Sequence, residues 1–412
     1  MDCRRNFNNP KGDPMQKTVL SISVAAALAV PTLALAQAAA PAVPTLDKVL
    51  EASGISMSGY VDAAYTHANR NLEGNHPGSG AANFSPRVFD SYNSDFLLHQ
   101  VGLQIAKQPK TGFGGLVNVT VGRDATVIHS APEATGTTVS SFDITQGYLQ
   151  YAGGPLTIIG GKFTTLHGTE VIWSPSNANY SRSLLFGSVP FTHTGVRGTF
   201  AMGDSLNLIA GVNNGWDQVA DNNKGKTLEL GVTATPIKPL SLAASYYSGK
   251  ELGNVTGADG NNVQGTRESF NFVGTWTVID PLSVGFEYLQ VKQKSAVSNG
   301  AGGEKDAKYN GYAVYLGYTF IPKWKISMRA ESLDDRDGFR FPGAVTAANN
   351  GGATVSGTKH KEFTATLGWS AADNFELRAE VRQDKANEAV YTDGMNYSKS
   401  LVTYALQGIY KF

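Results

Sequence analysis

Glu376, Arg378, Glu380 and Arg382 occupy every second position of one short segment; Lys325, Ser327, Arg329 and Glu331 do the same in another. Between them run Phe375, Leu377, Ala379 and Val381 in the first, and Trp324, Ile326, Met328 and Ala330 in the second. A period of two belongs to a β-strand, so each segment carries one charged face and one apolar face. If the apolar face meets lipid, the charged face must point away from it, because a midplane Arg or Lys in lipid costs roughly 2–4 kcal/mol. Such rows then line an enclosed space, where opposite charges on neighbouring strands pair or bound a wet path. A soluble sheet with one solvated face accounts for each strand taken singly.

Other chemistry is scarce. The seven histidines, at 67, 76, 99, 129, 167, 193 and 360, form no H-E-x-x-H and no Cys/His cluster. His99 falls within a strand pattern and is read as lining the interior. No G-x-S-x-G elbow or phosphate-binding glycine loop is present. Asp334, Asp335 and Asp337 cap a strand and read as a hydrated loop rather than a calcium site, which needs roughly 6–8 ordered oxygens. Neither catalytic residues, nor a metal site, nor a cofactor is assigned.

The positioning elements emerge from the same alternation, bounded by turn residues. About sixteen segments qualify: 55–66, 95–107, 112–122, 142–152, 156–164, 194–202, 206–215, 226–235, 240–249, 268–279, 282–294, 308–320, 324–335, 361–371, 375–385 and 400–412. Merging one weak pair gives fourteen. Each is near the roughly 9–11 residues that cross a bilayer at a tilt. Their connections alternate short and long. The short ones, such as Gly153–Pro155 and Asp280–Pro281, are rich in Pro, Gly, Asp and Asn. Long ones, such as 67–94, 165–193 and 336–360, carry the polar clusters. That rhythm predicts an all-β chain: a transmembrane antiparallel up-and-down barrel with short periplasmic turns and long outer loops. A soluble sandwich has no reason to alternate its loops in this way. Trp276, Trp324 and Trp369 fall near strand ends, as interface belts require.

Both ends fit this reading. Met15-Gln16-Lys17, the apolar run Val19–Leu35 and Ala34-Leu35-Ala36 form a secretory signal peptide over residues 1–36, with residues 1–14 upstream of an alternative start at Met15. The only cysteine, Cys3, lies upstream of that cut, so no disulfide framework is expected. Removing residues 1–36 takes four basic and two acidic residues and leaves a net charge of −2, with no basic excess for nucleic acid. Residues 37–54 are a linker or a short helix from Thr45 to Ala52 ended by Gly54; the barrel spans 55–412. The last strand places Tyr404, Leu406, Tyr410 and Phe412 on one face, the pattern through which outer-membrane barrels meet the barrel-assembly machinery.

The middle of the chain carries more specific patterns. They are Gly161-Lys162-Phe163, Gly168-Thr169-Glu170, Asn179-Tyr180-Ser181-Arg182-Ser183, His193-Thr194-Gly195-Val196-Arg197 and Asn214-Gly215-Trp216, with Gly54–Asp62 at the start. In these the chain resembles the OmpL-like β-barrel porin family of Gram-negative outer membranes, across roughly residues 50–412. The resemblance implies an outer-membrane pore for passive diffusion of small hydrophilic solutes or ions, and no catalytic residues. It also suggests that loop 165–193 folds inward to narrow the channel. Lys162, His167, Glu170, Arg182, His193 and Arg197 are then constriction candidates, beside Arg329, Glu331, Glu376, Arg378, Glu380 and Arg382 on the strands. The alternatives are a loop packed outside, a structural or adhesive barrel with a plugged lumen, and an outer-membrane enzyme. The expected partners are outer-membrane lipid and small solutes, not nucleic acid, with the chain a monomer or a trimer.

Overall fold

The computed structural model describes residues 45–70, 72, 86–131, 140–256, 262–299, 303–341, 357–392 and 397–412. The signal peptide and the start of the linker lie outside these residues. Helix α1 (Leu46–Ser53) precedes the first strand. Gly54 ends it at φ +67°, and the N–H groups of Gly54 and Ile55 bond the Glu51 and Leu50 carbonyls at 3.1 and 3.2 Å. A left-handed glycine closes a helix this way because it has no Cβ to clash. No described helix is long and apolar enough to cross a membrane.

Among the described residues, sixteen strands close into one barrel. They are β1 (Ser56–Ala68), β2 (Asp95–Lys107), β3 (Gly112–Val121), β4 (Phe142–Gly153), β5 (Leu156–Thr164), β6 (Thr192–Met202), β7 (Leu206–Asn213) and β8 (Thr227–Ile237). They continue as β9 (Leu240–Thr256), β10 (Asn262–Ile279), β11 (Leu282–Ser298), β12 (Glu304–Ile321), β13 (Trp324–Asp335), β14 (Thr358–Ala372), β15 (Phe375–Ala386) and β16 (Ser400–Lys411). Every strand pairs antiparallel with its sequence neighbours, and β1 pairs with β16 from Tyr60 opposite Lys411 to Ala68 opposite Thr403. Closure leaves no unpaired edge, the condition for a sheet to span lipid. A four-residue helix, α2 (Ala125–Ile128), follows β3, and a two-residue ladder joins Tyr391–Thr392 to Tyr397–Ser398 before β16.

Three strands have the expected bounds, and most others differ by one to three residues. The marked exceptions are β9–β12, which run 17, 18, 17 and 18 residues. Their outer ends are polar, so the apolar alternation stops where lipid stops. The backbone ladder needs only N–H and C=O groups and continues beyond.

The two faces divide as the alternation requires. On β16, Tyr404, Leu406 and Tyr410 are 45–56% exposed, whereas Gln407 and Ile409 on the opposite face are 1% exposed. Trp324 and Trp369 are cross-strand partners on the outer face, stacked at 5.7 Å and 16°. Inside, the largest fully buried side chains include Arg329, Arg378, Arg382, Tyr60 and Tyr247. An interior whose bulkiest members are arginines is polar, unlike the core of a soluble sandwich.

Candidate functional site: the segment inside the barrel

Residues 165–191, between β5 and β6, enter the lumen. Thr165 N–H bonds Phe191 O at 3.1 Å and closes the base of the segment. Two short 3-10 turns, Ser174–Ser176 and Phe186–Ser188, fold it, and residues 179–190 are buried throughout. A buried stretch with so little regular structure must find partners for its backbone polar groups elsewhere.

The strand carboxylates supply them. Glu380 on β15 accepts the Tyr180 and Ser181 N–H groups at 2.7 and 3.0 Å. Glu331 on β13 accepts those of Leu184 and Leu185 at 2.7 and 3.2 Å. Glu287 on β11 accepts Thr169 N–H at 3.0 Å. Within the segment, Glu170 accepts Ser183 N–H at 2.6 Å. Bonds from N–H to an ionised carboxylate are about twice as strong as neutral ones. They exploit the inward charge row that strand alternation creates.

The arginines complete the lattice. Arg329 donates to Glu170 at 2.6 Å, to Ser181 O at 2.7 Å and to both oxygens of Glu362 at 3.1 Å. Arg382 donates to Asp384 at 2.7 Å and to Arg182 O at 2.6 Å. Arg182 turns back on its own segment, bonding the Tyr180 and Val171 carbonyls at 2.9 and 3.2 Å. His167 sits between Ser245 Oγ at 2.7 Å and Ser269 Oγ at 2.9 Å. Burial, with the His193 ring beside it, holds the His167 imidazole well below its usual titration range. It is therefore neutral between the two hydroxyls.

Across the lumen the segment meets β1 and β2. Ser174 Oγ donates to Asp62, and Gln100 Nε2 donates to Ile172 O at 3.1 Å. The Tyr180 hydroxyl lies 2.9 Å from both His99 Nε2 and Thr66 Oγ1. Burial, then Asp90, raise the Tyr180 phenol well above its ordinary value.

The remaining sequence candidates face elsewhere. Lys162 pairs with Asp143 at 3.1 Å. His193 stacks on Tyr247 at 4.6 Å and bonds Gly215 O at 3.1 Å. Arg197 is bidentate to Glu229 and lies 4.2 Å over the Phe163 ring. Glu376 joins Arg378 at 2.8 Å and Lys325 at 2.9 Å. Arg329, Arg378 and Arg382 are at most 1% exposed, so these charges lie under cover rather than along open water. Asp335 faces inward and accepts the N–H groups of Phe339, Arg340 and Phe341 at 2.8–3.0 Å; Asp334 pairs with Arg336 at 2.8 Å. No metal-ligating cluster occurs among the described residues.

Among the described residues, no hydrogen bond joins the segment to β3 or β4. There a cavity of about 430 Å³ opens between segment and wall. Its wall side carries Gln104, Asn118, Thr145 and Gln146; its segment side presents Trp173 and Phe191. Glu170 also borders it, already engaged by Arg329 and Ser183. Gln104 and Asn118 face inward by alternation alone. What was not legible is that these amides, rather than the charged rows, border the space.

Residues 54–412 match a family model described as "Putative beta-barrel porin-2, OmpL-like". Solved structures of similar fold include the outer membrane channel DcaP of Acinetobacter baumannii, at 15% identity and TM-score 0.55, covering 87% of this chain and 97% of that one. OmpT of Vibrio cholerae in its trimer form aligns at 14% identity and TM-score 0.56 over 87% and 99% of the two chains. Pseudomonas putida OprB aligns at 12% and 0.57 over 89% and 96%. At these identities the likeness concerns the fold. No curated protein sequence matches the chain.

Proposed function

This chain belongs to the OmpL-like β-barrel porin-2 family of outer-membrane pores, and we propose that solutes pass its lumen between segment 165–191 and the wall of β2–β4. It is a porin for passive diffusion. The observation that carries the proposed path is the cavity between the docked segment and the wall, where among the described residues the segment makes no hydrogen bond to β3 or β4. A smaller cavity of about 200 Å³ lies on the segment's other side, between residues 169–179 and the wall of β10–β13. The amide and hydroxyl lining of the larger cavity, with aromatic rings opposite, suits small hydrophilic solutes and carries little net charge. Arg329, Glu331, Glu380 and Arg382 then act indirectly: they fix the edge of the path by holding the segment. Arg378 and Glu376 serve the wall beside them.

The reading assigns no catalysis. The β16 strand, with Tyr404, Leu406, Tyr410 and Phe412 on its lipid face, is the part offered to the barrel-assembly machinery, after a signal peptide over residues 1–36 is removed. Both a monomer and a trimer are compatible with this path, since it lies inside one barrel.

Single-channel recording of the folded protein in a planar bilayer tests the reading. Discrete ohmic steps are expected. Silence at all voltages, with the barrel demonstrably folded, favours the plugged alternative and overturns the path.

A further inference from the structure

Arg329, Arg378, Arg382 and Arg197 inside the barrel make ion pairs, but a second set of cations outside does not. On β14 and β15 the exposed face carries Phe363 and Val381, then Lys361 and Lys385 further out. Lys361 and Lys385 stand directly opposite each other across the two strands. On β11 and β12, above the lipid-facing Phe286, Tyr312 and Val314, Lys292 stands opposite Lys308. Like charges directly opposite on a sheet destabilise it. Each pair lies two to four residues beyond the lipid-facing Phe363 and Tyr312, or about 7–13 Å along the strand, at headgroup depth.

None of these four lysines makes an ion pair among the described residues. The acidic groups on this margin are engaged otherwise. Glu268, opposite Lys292, accepts the Tyr246 hydroxyl at 2.8 Å. Asp334 pairs with Arg336, and Asp306 accepts Ser295 N–H at 3.0 Å. Over Lys292 and Lys308 lies an open groove of about 440 Å³, which also borders Lys294 and the carboxylates of Glu268, Asp306 and Asp337, the last accepting Lys308 N–H at 3.0 Å; the Lys361–Lys385 pair has no such carboxylate directly across from it. Lys359 extends the β14 pair by one more outward position.

We propose that this outer margin of β11–β15 binds the phosphate groups of the outer-leaflet glycolipid. The proposal rests on the outer-membrane reading of the barrel. The outward direction follows from strand parity: Lys361 shares a face with exposed Phe363, while Glu362 and His360 point inward and are buried. A phosphate shared between two opposed lysines removes their mutual repulsion and gains two charge-assisted hydrogen bonds. Continuity of the lysine pairs with the aromatic, lipid-facing band beneath them selects a lipid over a soluble anion. The lysine stems lie along that apolar band while their ammonium groups reach the headgroups.

The test is native mass spectrometry of the full folded chain with bisphosphorylated lipid A, monophosphorylated lipid A and phosphatidylcholine. Retention in that order is expected. The double variants Lys361→Gln/Lys385→Gln and Lys292→Gln/Lys308→Gln should each lower retention of bisphosphorylated lipid A by about tenfold. The matching double Arg variants should keep it. Equal retention of phosphatidylcholine, or wild-type retention by both Gln variants, overturns the proposal. So does a preference for heparin, a soluble polyanion, over lipid A. Single Lys361→Gln and Lys385→Gln variants give the same readout if a double variant folds poorly. Channel conductance of the Gln variants should remain at the wild-type level, which separates failure of this site from failure of the pore.

Discussion

Arg329 Nη1 donates to Glu170 Oε1 at 2.6 Å, joining β13 to a residue 159 positions earlier inside the barrel. Neither side chain is more than 6% exposed, and Arg329 also holds Glu362 and Ser181 O. This contact turns a charged strand face, which could have lined open water, into an anchor. Removing one partner from a buried network of this kind costs about 3–5 kcal/mol, because the others remain charged and unpaired. Arg329→Met should therefore lower the unfolding midpoint of the purified barrel in urea. A midpoint equal to wild type would show that the network is not coupled to stability.

The N–H bonds to Glu380 predict a functional effect. Glu380→Ala leaves the Tyr180 and Ser181 N–H groups without their acceptor. Each such buried donor costs about 1–3 kcal/mol, enough to populate an undocked segment. Single-channel traces of this variant should be larger in amplitude and noisier than wild type. An unaltered trace would mean that the segment does not bound the path.

Ion preference should respond to the amide wall and not to the covered arginines. Asn118→Asp and Gln146→Glu place charge at the cavity beside β3 and β4. The reversal potential in a salt gradient should move toward cation preference for both. Arg378→Gln and Arg382→Gln, on β15 four strands away from β3 around the barrel and 1% exposed, should leave it in place. A shift from the arginine variants with none from the amides would move the path to the β15 side.

Asp217 supplies a pH signature outside the strands. It accepts the Phe191 and Thr192 N–H groups at 2.7 and 3.0 Å, where the segment returns to β6. Burial pushes its carboxyl up to about 6, against those N–H bonds and the pull of Lys162 and Arg267. A folded-state value above the unfolded one means that the folded chain binds the extra proton. The Asp217 contribution to stability then falls as pH rises from about 4 to about 6 and is flat above. Asp217→Asn should abolish that slope in the variant, so the wild-type-minus-variant difference in denaturation midpoint should fall between about pH 4 and 6. A difference that does not vary between pH 4 and 7 would contradict the shifted titration.

Gly59 and Phe412 extend the closing β1–β16 ladder by one pair. They exchange both backbone hydrogen bonds, at 2.8 and 2.9 Å, and the Phe412 ring occupies the space a Cβ on Gly59 would need. Gly59→Val should lower the yield of the compact, heat-modifiable form seen on gels, more than Ala63→Val on the same outer face. Equal yields would show that the ring can move aside without cost.

Strand number, lipid face and lumen face were legible in the sequence because they depend on local repetition. Apolar and polar residues alternate with a period of two, and Pro, Gly, Asp and Asn mark the turns. The same parity points Glu287 and Glu362 inward, each the one carboxylate on its strand's inner face, and extends the Glu376–Arg382 row to Asp384. Parity cannot say what an inward charge meets. That depends on where residues 165–191 run, and their anchors are 100–200 positions away: Asn271 for Gly168, Glu331 for Leu184, Glu380 for Tyr180. Arg87, in the outer loop after β1, likewise reaches Asp384 across the fold. Only the closed barrel brings those groups together and decides that the charged rows grip the segment, leaving the amides of β2–β4 beside the open space. Alternation is a property of one strand. The remaining gap is a property of the volume that all sixteen enclose.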